Sequence, residues 1–221
     1  MQDSYRHKGL RRRLVQSLRA KGIRDERILA AFEDIPRHFF MDSAFAEQAY
    51  QDKPFPIGKD QTISQPYTVA SQTELLEVAE GHQVLEIGTG SGFQAAVLAY
   101  LGAEVYSIER FQELRDKAAA ILYEMQFHNV RVYQGDGTLG LPRFAPYDRI
   151  LVTAGMPRIP EELLEQLAEG AAMVVPVGNA RIQKMMRIRR TADQQLHYEE
   201  FNDYSFVPAV GKAGWGGRRA D

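Results

Sequence analysis

The chain has 221 residues, 44% of them hydrophobic, enough for one generous domain with a buried core. Its 27 Lys and Arg nearly balance 29 Asp and Glu for a net charge of -2, which supplies no general attraction to nucleic acid or an anionic membrane. With no cysteine, disulfides, thiolate metal sites and cysteine nucleophiles are all excluded. The N-terminal residues lack an apolar signal region and no apolar run reaches membrane-spanning length, so the expectation is a soluble, cytoplasmic protein.

The pattern predicts one domain over 1–221, with N-terminal helices and a loop in 1–67, an α/β core in 68–178 and C-terminal strands and a tail in 179–221. Leu10, Leu14, Val15 and Leu18 recur at helical spacing, and Gly22 ends that helix. The run Arg11-Arg12-Arg13 reads as its solvated face. Asp25 is placed to cap a second helix carrying Ile28, Leu29 and Phe32, stopped by Pro36. A third helical pattern covers Ala44–Tyr50. Residues 53–67 then hold three prolines and little periodicity, yet Phe55, Ile57 and Ile63 argue for an ordered loop. Helical spacing resumes through Val69, Leu75, Leu76 and Ala79.

The centre of the chain is Val84-Leu85-Glu86-Ile87-Gly88-Thr89-Gly90-Ser91-Gly92-Phe93, an apolar run feeding a turn with glycine at alternate positions, before a helix over 94–101. Strand, glycine turn and helix let backbone approach a nucleotide-like ligand closely. Phe93 occupies the place of the third glycine in a dinucleotide fingerprint, which favours a nucleoside without a pyrophosphate, such as S-adenosylmethionine. Val105–Glu109 reads as a second strand whose terminal acid suits the two ribose hydroxyls. A helix around Leu114–Met125 follows, then a strand Val130–Gln134 ending in Gly135-Asp136-Gly137, where the acid can accept from an adenine amino group. Asp148–Thr153 is a fourth strand, Glu161–Leu167 a helix and Met173–Gly178 a buried strand. Met185–Arg189 and Leu196–Phe201, joined by Thr191-Ala192-Asp193, predict an antiparallel hairpin at the sheet edge. The tail from Gly211 through Arg219 is expected to fray. The whole is an α/β fold, a Rossmann-like, doubly wound, mostly parallel sheet with N-terminal helices and an antiparallel edge.

Other chemistries lack their residues. The five histidines are scattered without metal-ligand spacing, so no metal is expected. Ser91 lacks the flanking glycines of a nucleophile elbow, and no glycine turn carries the Lys-Ser/Thr pair of a P-loop.

The segment Gln61-Thr62-Ile63-Ser64-Gln65-Pro66-Tyr67 together with Val84–Phe93, Gly135-Asp136-Gly137, Ala145–Ile150, Ile159-Pro160 and Phe206-Val207-Pro208 closely resembles the protein-L-isoaspartate O-methyltransferases. The resemblance runs from the N-terminal helices to about Trp215. It departs from the usual pattern at Asp60, Phe93, Gly155-Met156 and Ala209. It implies a class I methyltransferase that moves a methyl group from S-adenosylmethionine, with S-adenosylhomocysteine as product, to the free α-carboxylate of isoaspartyl residues in damaged proteins and peptides. By the same resemblance Ser64 is the active-site residue. Ile63, Ser64, Glu86, Gly88, Thr89, Gly90 and Gly92 would line the methionine end, Glu109 would hold the ribose, Asp136 and Gly137 the adenine, and Thr153 would line the cleft. Thr62, Ser64, Tyr67, Phe206, Val207 and Pro208 would meet the substrate peptide. The expected working form is a monomer that binds neither nucleic acid nor membrane. Two other readings stand beside it: a methyltransferase of this fold acting on RNA or a small molecule, and an adenosyl-binding module without activity.

Overall fold

The computed structural model describes residues 2–216. Helices α1 (Tyr5–Ala20) and α2 (Glu26–Asp34) open the chain. The Asp25 side chain accepts from the Arg27 amide, so the predicted cap of α2 is present. The basic run does not lie wholly in solvent. Arg11 is buried and forms a two-bond ion pair with Asp3, while Arg12 and Arg13 are exposed. The third predicted helix is a short 3₁₀ segment, Ser43–Gln48, with no buried residue, because the large side chain that anchors this stretch, Tyr50, follows it.

The proline-rich stretch contains an antiparallel hairpin, β1 (Phe55–Gly58) and β2 (Gln61–Ile63), turned by Gly58, Lys59 and Asp60 in left-handed conformations. Helix α3 (Pro66–Leu76) follows, and Glu77 at φ +54° ends it before Ala79. Strand β3 (Gln83–Ile87), α4 (Phe93–Tyr100), β4 (Glu104–Glu109), α5 (Gln112–Glu124), β5 (Val130–Gln134) and β6 (Tyr147–Val152) then alternate as the periodicity predicts. Helix α6 (Glu161–Leu164) is shorter than predicted, and β7 (Leu167–Gly178) begins earlier. The cause is Gln166, whose buried amide bonds the carbonyls of Leu139 and Glu162 and the Leu141 amide while its own carbonyl accepts from Tyr147. That set of bonds pulls the chain into the sheet. Strands β8 (Gln183–Arg190) and β9 (Leu196–Tyr204) form the expected hairpin.

The seven-stranded sheet has the order β5-β4-β3-β6-β7-β8-β9. Pairings from β5 to β7 are parallel, and β8 and β9 run antiparallel at the edge. Period-two alternation divides the strand residues between two apolar layers. Val84, Leu151 and Val174 face a layer with α1 to α4, whereas Leu85, Ile150, Val152, Met173 and Val175 face a layer beneath α6. Strand order reverses between β3 and β6, so the crevice for a ligand lies at their carboxyl ends.

Phe93, at the first position of α4, packs edge-on against Phe32 and Phe40, with centroids 5.5 Å apart in both pairs. The fully buried Arg37 guanidinium stands 5.1 Å from the Phe93 ring centroid. The N-terminal helices are therefore seated directly on the glycine turn. The expected fraying of the tail is not seen over Gly211–Gly216. The Lys212 amide donates to Asp136 Oδ2 at 2.8 Å, the Ala213 amide to Thr138 Oγ1 at 3.1 Å, and Trp215 Nε1 to the Gly155 carbonyl at 3.0 Å. The rest of that tail, 217–221, lies outside the described residues.

Leu98, fully buried in α4, belongs to the same apolar layer as Phe32, Phe40, Phe93 and the strand residue Val84. Leu98→Ala is expected to lower unfolding free energy by about 2–5 kcal/mol. Denaturant unfolding checks this, and a loss under about 1 kcal/mol would mean that the layer collapses around the gap.

Candidate active site

Three loops converge above the reversal point: the glycine turn after β3, the β2–α3 segment and the chain after β9. Gly88 has φ +95°, and a Cβ built on it would lie 2.7 Å from Thr153 Oγ1. Only glycine allows this approach, in which the Thr153 hydroxyl donates between the carbonyls of Ile87 and Gly88 at 2.9 and 2.7 Å. The end of β6 is thus pinned to the turn. Glu109, at the tip of β4 and 5% exposed, accepts from the Gly90 amide at 2.8 Å through Oε2 and from the Phe111 amide at 2.9 Å through Oε1. Each oxygen keeps a lone pair for a further donor, which suits a ribose diol.

Two narrow clefts flank this carboxylate. One is walled by Ile63, Ser64, Gly88, Thr89 and Gly90, and the other by Ile108, Gly137 and Pro208. Both include Gln61, Gly88, Glu109 and Ala154, so they join into one crevice. A wider cleft of about 630 Å³ opens on the other side of Ser64 and contains Tyr67, Tyr204 and Phe206. Thr62, Ser64, Thr153 and Val207 line both the wide cleft and the glycine-turn crevice. Neither lining includes a His or Lys among the described residues.

Two sequence-predicted positions, Glu86 and Gly92, stand away from the cavity walls, and a third, Asp136, lines a neighbouring pocket that shares Arg110 and Val210 with the second crevice. Glu86 has no exposed surface. Its carboxyl accepts from the Ser107 hydroxyl, its register partner on β4, and Ser107 Oγ lies 2.5 Å from Thr89 Oγ1. Glu86 therefore supports the turn from beneath. Gly92 caps α4 in the left-handed region, and its missing Cβ leaves room for Ala118 and Leu122 of α5 at 3.3 Å. Asp136 faces the C-terminal segment and accepts from Thr138 and the Lys212 amide. Burial alone would raise its pKa, but these bonds outweigh that and hold it below the usual carboxylate value.

Of the peptide-facing residues, Phe206 donates its amide to Gln183 Oε1 at 2.8 Å, and the Val207 carbonyl accepts from Gly155 at 2.8 Å. Part of this backbone is therefore already paired. Sequence patterns give no role to Gln61, which lies in the quoted Gln61–Tyr67 segment, or to Ala154, Ile182, Asn202 and Tyr204, whose cleft positions follow from tertiary packing. Among the described residues, Asp3, His7 and His38 converge within 4.8 Å in the manner of a metal site. Arg11 takes both Asp3 oxygens, and His38 Nδ1 lies 2.6 Å from the Tyr50 hydroxyl, so the cluster is a polar tie between α1 and the segment after α2.

A doubly wound sheet, a glycine turn at the reversal point and an acid at the next strand end form a nucleoside-binding α/β site, and with Phe93 in place of a third fingerprint glycine and the antiparallel β8–β9 edge they fit a class I S-adenosylmethionine-dependent methyltransferase. The model of one family, protein-L-isoaspartate (D-aspartate) O-methyltransferase, matches residues 9–214. The protein-L-isoaspartate O-methyltransferase of Cytophaga hutchinsonii is 54% identical, the alignment covering 97% of each chain. A solved protein-L-isoaspartate O-methyltransferase superposes with a TM-score of 0.83 at 32% identity, over 92% of this chain and 67% of that one. A Plasmodium falciparum protein described as such an enzyme, in complex with S-adenosyl-L-homocysteine, shares the fold with a TM-score of 0.78 at 21% identity, over 92% of this chain and 98% of its own. The chain belongs to the protein-L-isoaspartate O-methyltransferase family.

Burial pushes the Glu86 carboxyl up to about 8, with Ser107 opposing and Glu109 adding to the rise. The folded state therefore holds a proton that the unfolded chain releases near 4.5, and stability falls as pH rises from about 4.5 to about 8. Glu86→Gln is expected to flatten that slope and to be more stable than the parent at the alkaline end. Denaturant unfolding across the window checks it; an unchanged slope would show that Glu86 is ionised in the fold.

Proposed function

We propose that the two cavities meeting at Ser64 carry out the family's reaction, transfer of a methyl group from S-adenosylmethionine to the free α-carboxylate of an isoaspartyl residue in a damaged protein or peptide. The observation that carries this reading is the sharing of Thr62, Ser64, Thr153 and Val207 between the crevice and the wide cleft. A donor in one and an acceptor in the other would face each other across those side chains. The residues fit the cofactor: Gly88, Thr89, Gly90 and Ile63 receive the methionine portion, the free lone pairs of Glu109 the ribose, and the wall of Ile108 and Gly137 the adenine. Asp136 lines the adjoining pocket beside that wall and fixes Thr138 and the C-terminal segment. When bound, the cofactor supplies an electrophilic methyl group on a sulfonium.

The rest is positioning. A carboxylate with a pKa of about 4 is already ionised at neutral pH, so the absence of His and Lys from both linings costs nothing. Ser64 has no adjacent base to make it a nucleophile, and we assign its hydroxyl as a donor to one carboxylate oxygen, leaving the other free to attack. Neutral donors suit this task better than a guanidinium, which would occupy both oxygens. Thr62 and Tyr67 extend the contact on one side of the cleft and Phe206 and Val207 on the other, whereas Pro208 lines the crevice beside Ile108 and Gly137. The Phe206 carbonyl and Val207 amide, unpaired among the described residues, offer main-chain bonds to an extended peptide of any sequence. The near-neutral charge supports a protein that binds no nucleic acid. None of the described helices is long and apolar enough to cross a membrane.

Ser64→Ala is expected to lower kcat on an isoaspartyl peptide by about 10- to 1,000-fold, with affinity for S-adenosylhomocysteine little changed. Steady-state kinetics with calorimetric binding checks both. Parent turnover in the variant would remove Ser64 from the mechanism.

A further inference from the structure

Helix α3, which begins immediately after the Thr62–Gln65 segment, has no cap of its own. Gln65 at the N-cap makes no side-chain bond to the first turn, and Pro66 has no N–H to offer. The amide of Tyr67 is satisfied from outside the helix. Asp52 reaches it with Oδ1 at 2.7 Å, and its other oxygen receives Lys21 Nζ at 2.5 Å. The Asp52 side chain is 13% exposed and that of Lys21 is 47% exposed, so the carboxylate is held on the inner side of the pair. The Lys21 ammonium also stands 5.6 Å from the centroid of the Tyr67 ring, tying the same residue by its side chain. Behind Asp52 the fully buried Arg37, which donates to the Ala49 carbonyl at 2.9 Å, feels its negative charge.

This places a negative charge at the positive end of α3, a stabilising arrangement for helix and carboxylate alike. Its consequence for chemistry follows from chain order. Thr62 and Ile63 are fixed by the β1–β2 pairing, but Ser64 and Gln65 belong to no regular element. Their position is set by the hairpin on one side and the first turn of α3 on the other. The Asp52 bond to Tyr67 is the clamp on that second side.

We propose that Asp52, aimed by Lys21, is a positioning residue for methyl transfer: it anchors the first turn of α3 and through it fixes Ser64 at the junction of the two cavities. This rests on the role assigned to Ser64 above.

The test compares Asp52→Ala, Asp52→Asn and Lys21→Met in the full chain by three readouts: hydrogen exchange of the Tyr67 amide, affinity for S-adenosylhomocysteine, and kcat/KM on an isoaspartyl peptide. Asp52→Ala is expected to speed Tyr67 exchange and to lower kcat/KM by about 10- to 100-fold, with cofactor affinity within about threefold of the parent. Asp52→Asn keeps an oxygen acceptor and is expected to restore most of both losses. If Asp52→Ala does not fold, Lys21→Met, at a half-exposed position, is expected to speed Tyr67 exchange and reduce kcat/KM severalfold. Parent kcat/KM, unchanged Tyr67 exchange, or a fall in cofactor affinity that matches the fall in activity would overturn the proposal. Because Tyr67 exchange needs no substrate, it separates failure of this clamp from failure of the Ser64 assignment, which Ser64→Ala decides.

Discussion

The bond from the Gly90 amide to Glu109 is the contact on which the site depends. It spans from the turn after β3 to the tip of β4 and, with the Gly88 and Thr89 amides bonded to the Ile108 carbonyl, holds the glycine loop at one height above the sheet. On the other side Thr153, from β6, ties the same turn through the carbonyls of Ile87 and Gly88. The turn is thus held from both strands that flank β3, at the place where strand order reverses. A parallel sheet has a vacant crevice there because successive connections leave in opposite directions. The glycines turn that crevice into a surface that backbone lines closely.

The N-terminal third is the second half of the device. Phe93, next to the last glycine, is buried between Phe32 and Phe40, so the helices that precede the core in sequence lie on top of the turn. From that platform the β1–β2 hairpin and the start of α3 carry Thr62 and Ser64 over the crevice. The chain after β9 closes the opposite side, held by Gln183, Gly155, Asp136 and Thr138. The reaction asks for alignment of a ready nucleophile with a ready electrophile, and rigid support of two loops on a twisted sheet is what this architecture provides.

The core strands and helices were legible in the sequence because their signals are local: alternating apolar residues, glycine at the strand ends, Asp25 before α2. Glu109 and the glycine turn were legible for the same reason, since distance along the chain places them at adjacent strand ends. The early start of β7 was not, because it depends on Gln166 bonding residues such as Leu139 and Leu141 that lie far from it in sequence. The ordered tail was hidden likewise, since polar and glycine-rich composition resembles fraying until the acceptors on Asp136 and Gly155 are known. Glu86 shows the opposite limit. Its place in the motif suggests a ligand contact, yet side-chain alternation on β3 turns it toward Ser107 and away from the crevice. Likewise the third glycine serves helix packing, which spacing alone cannot separate from ligand approach.

The central claim is that donor and acceptor meet at Ser64 and that the acceptor is the α-carboxylate of an isoaspartyl residue. Methyl-labelled S-adenosylmethionine, offered with two peptides that differ only in isoaspartate against aspartate at one position, tests it most directly. Base-labile label is expected on the isoaspartyl peptide alone. Equal label on both peptides, or none on either while the cofactor is bound, would contradict it.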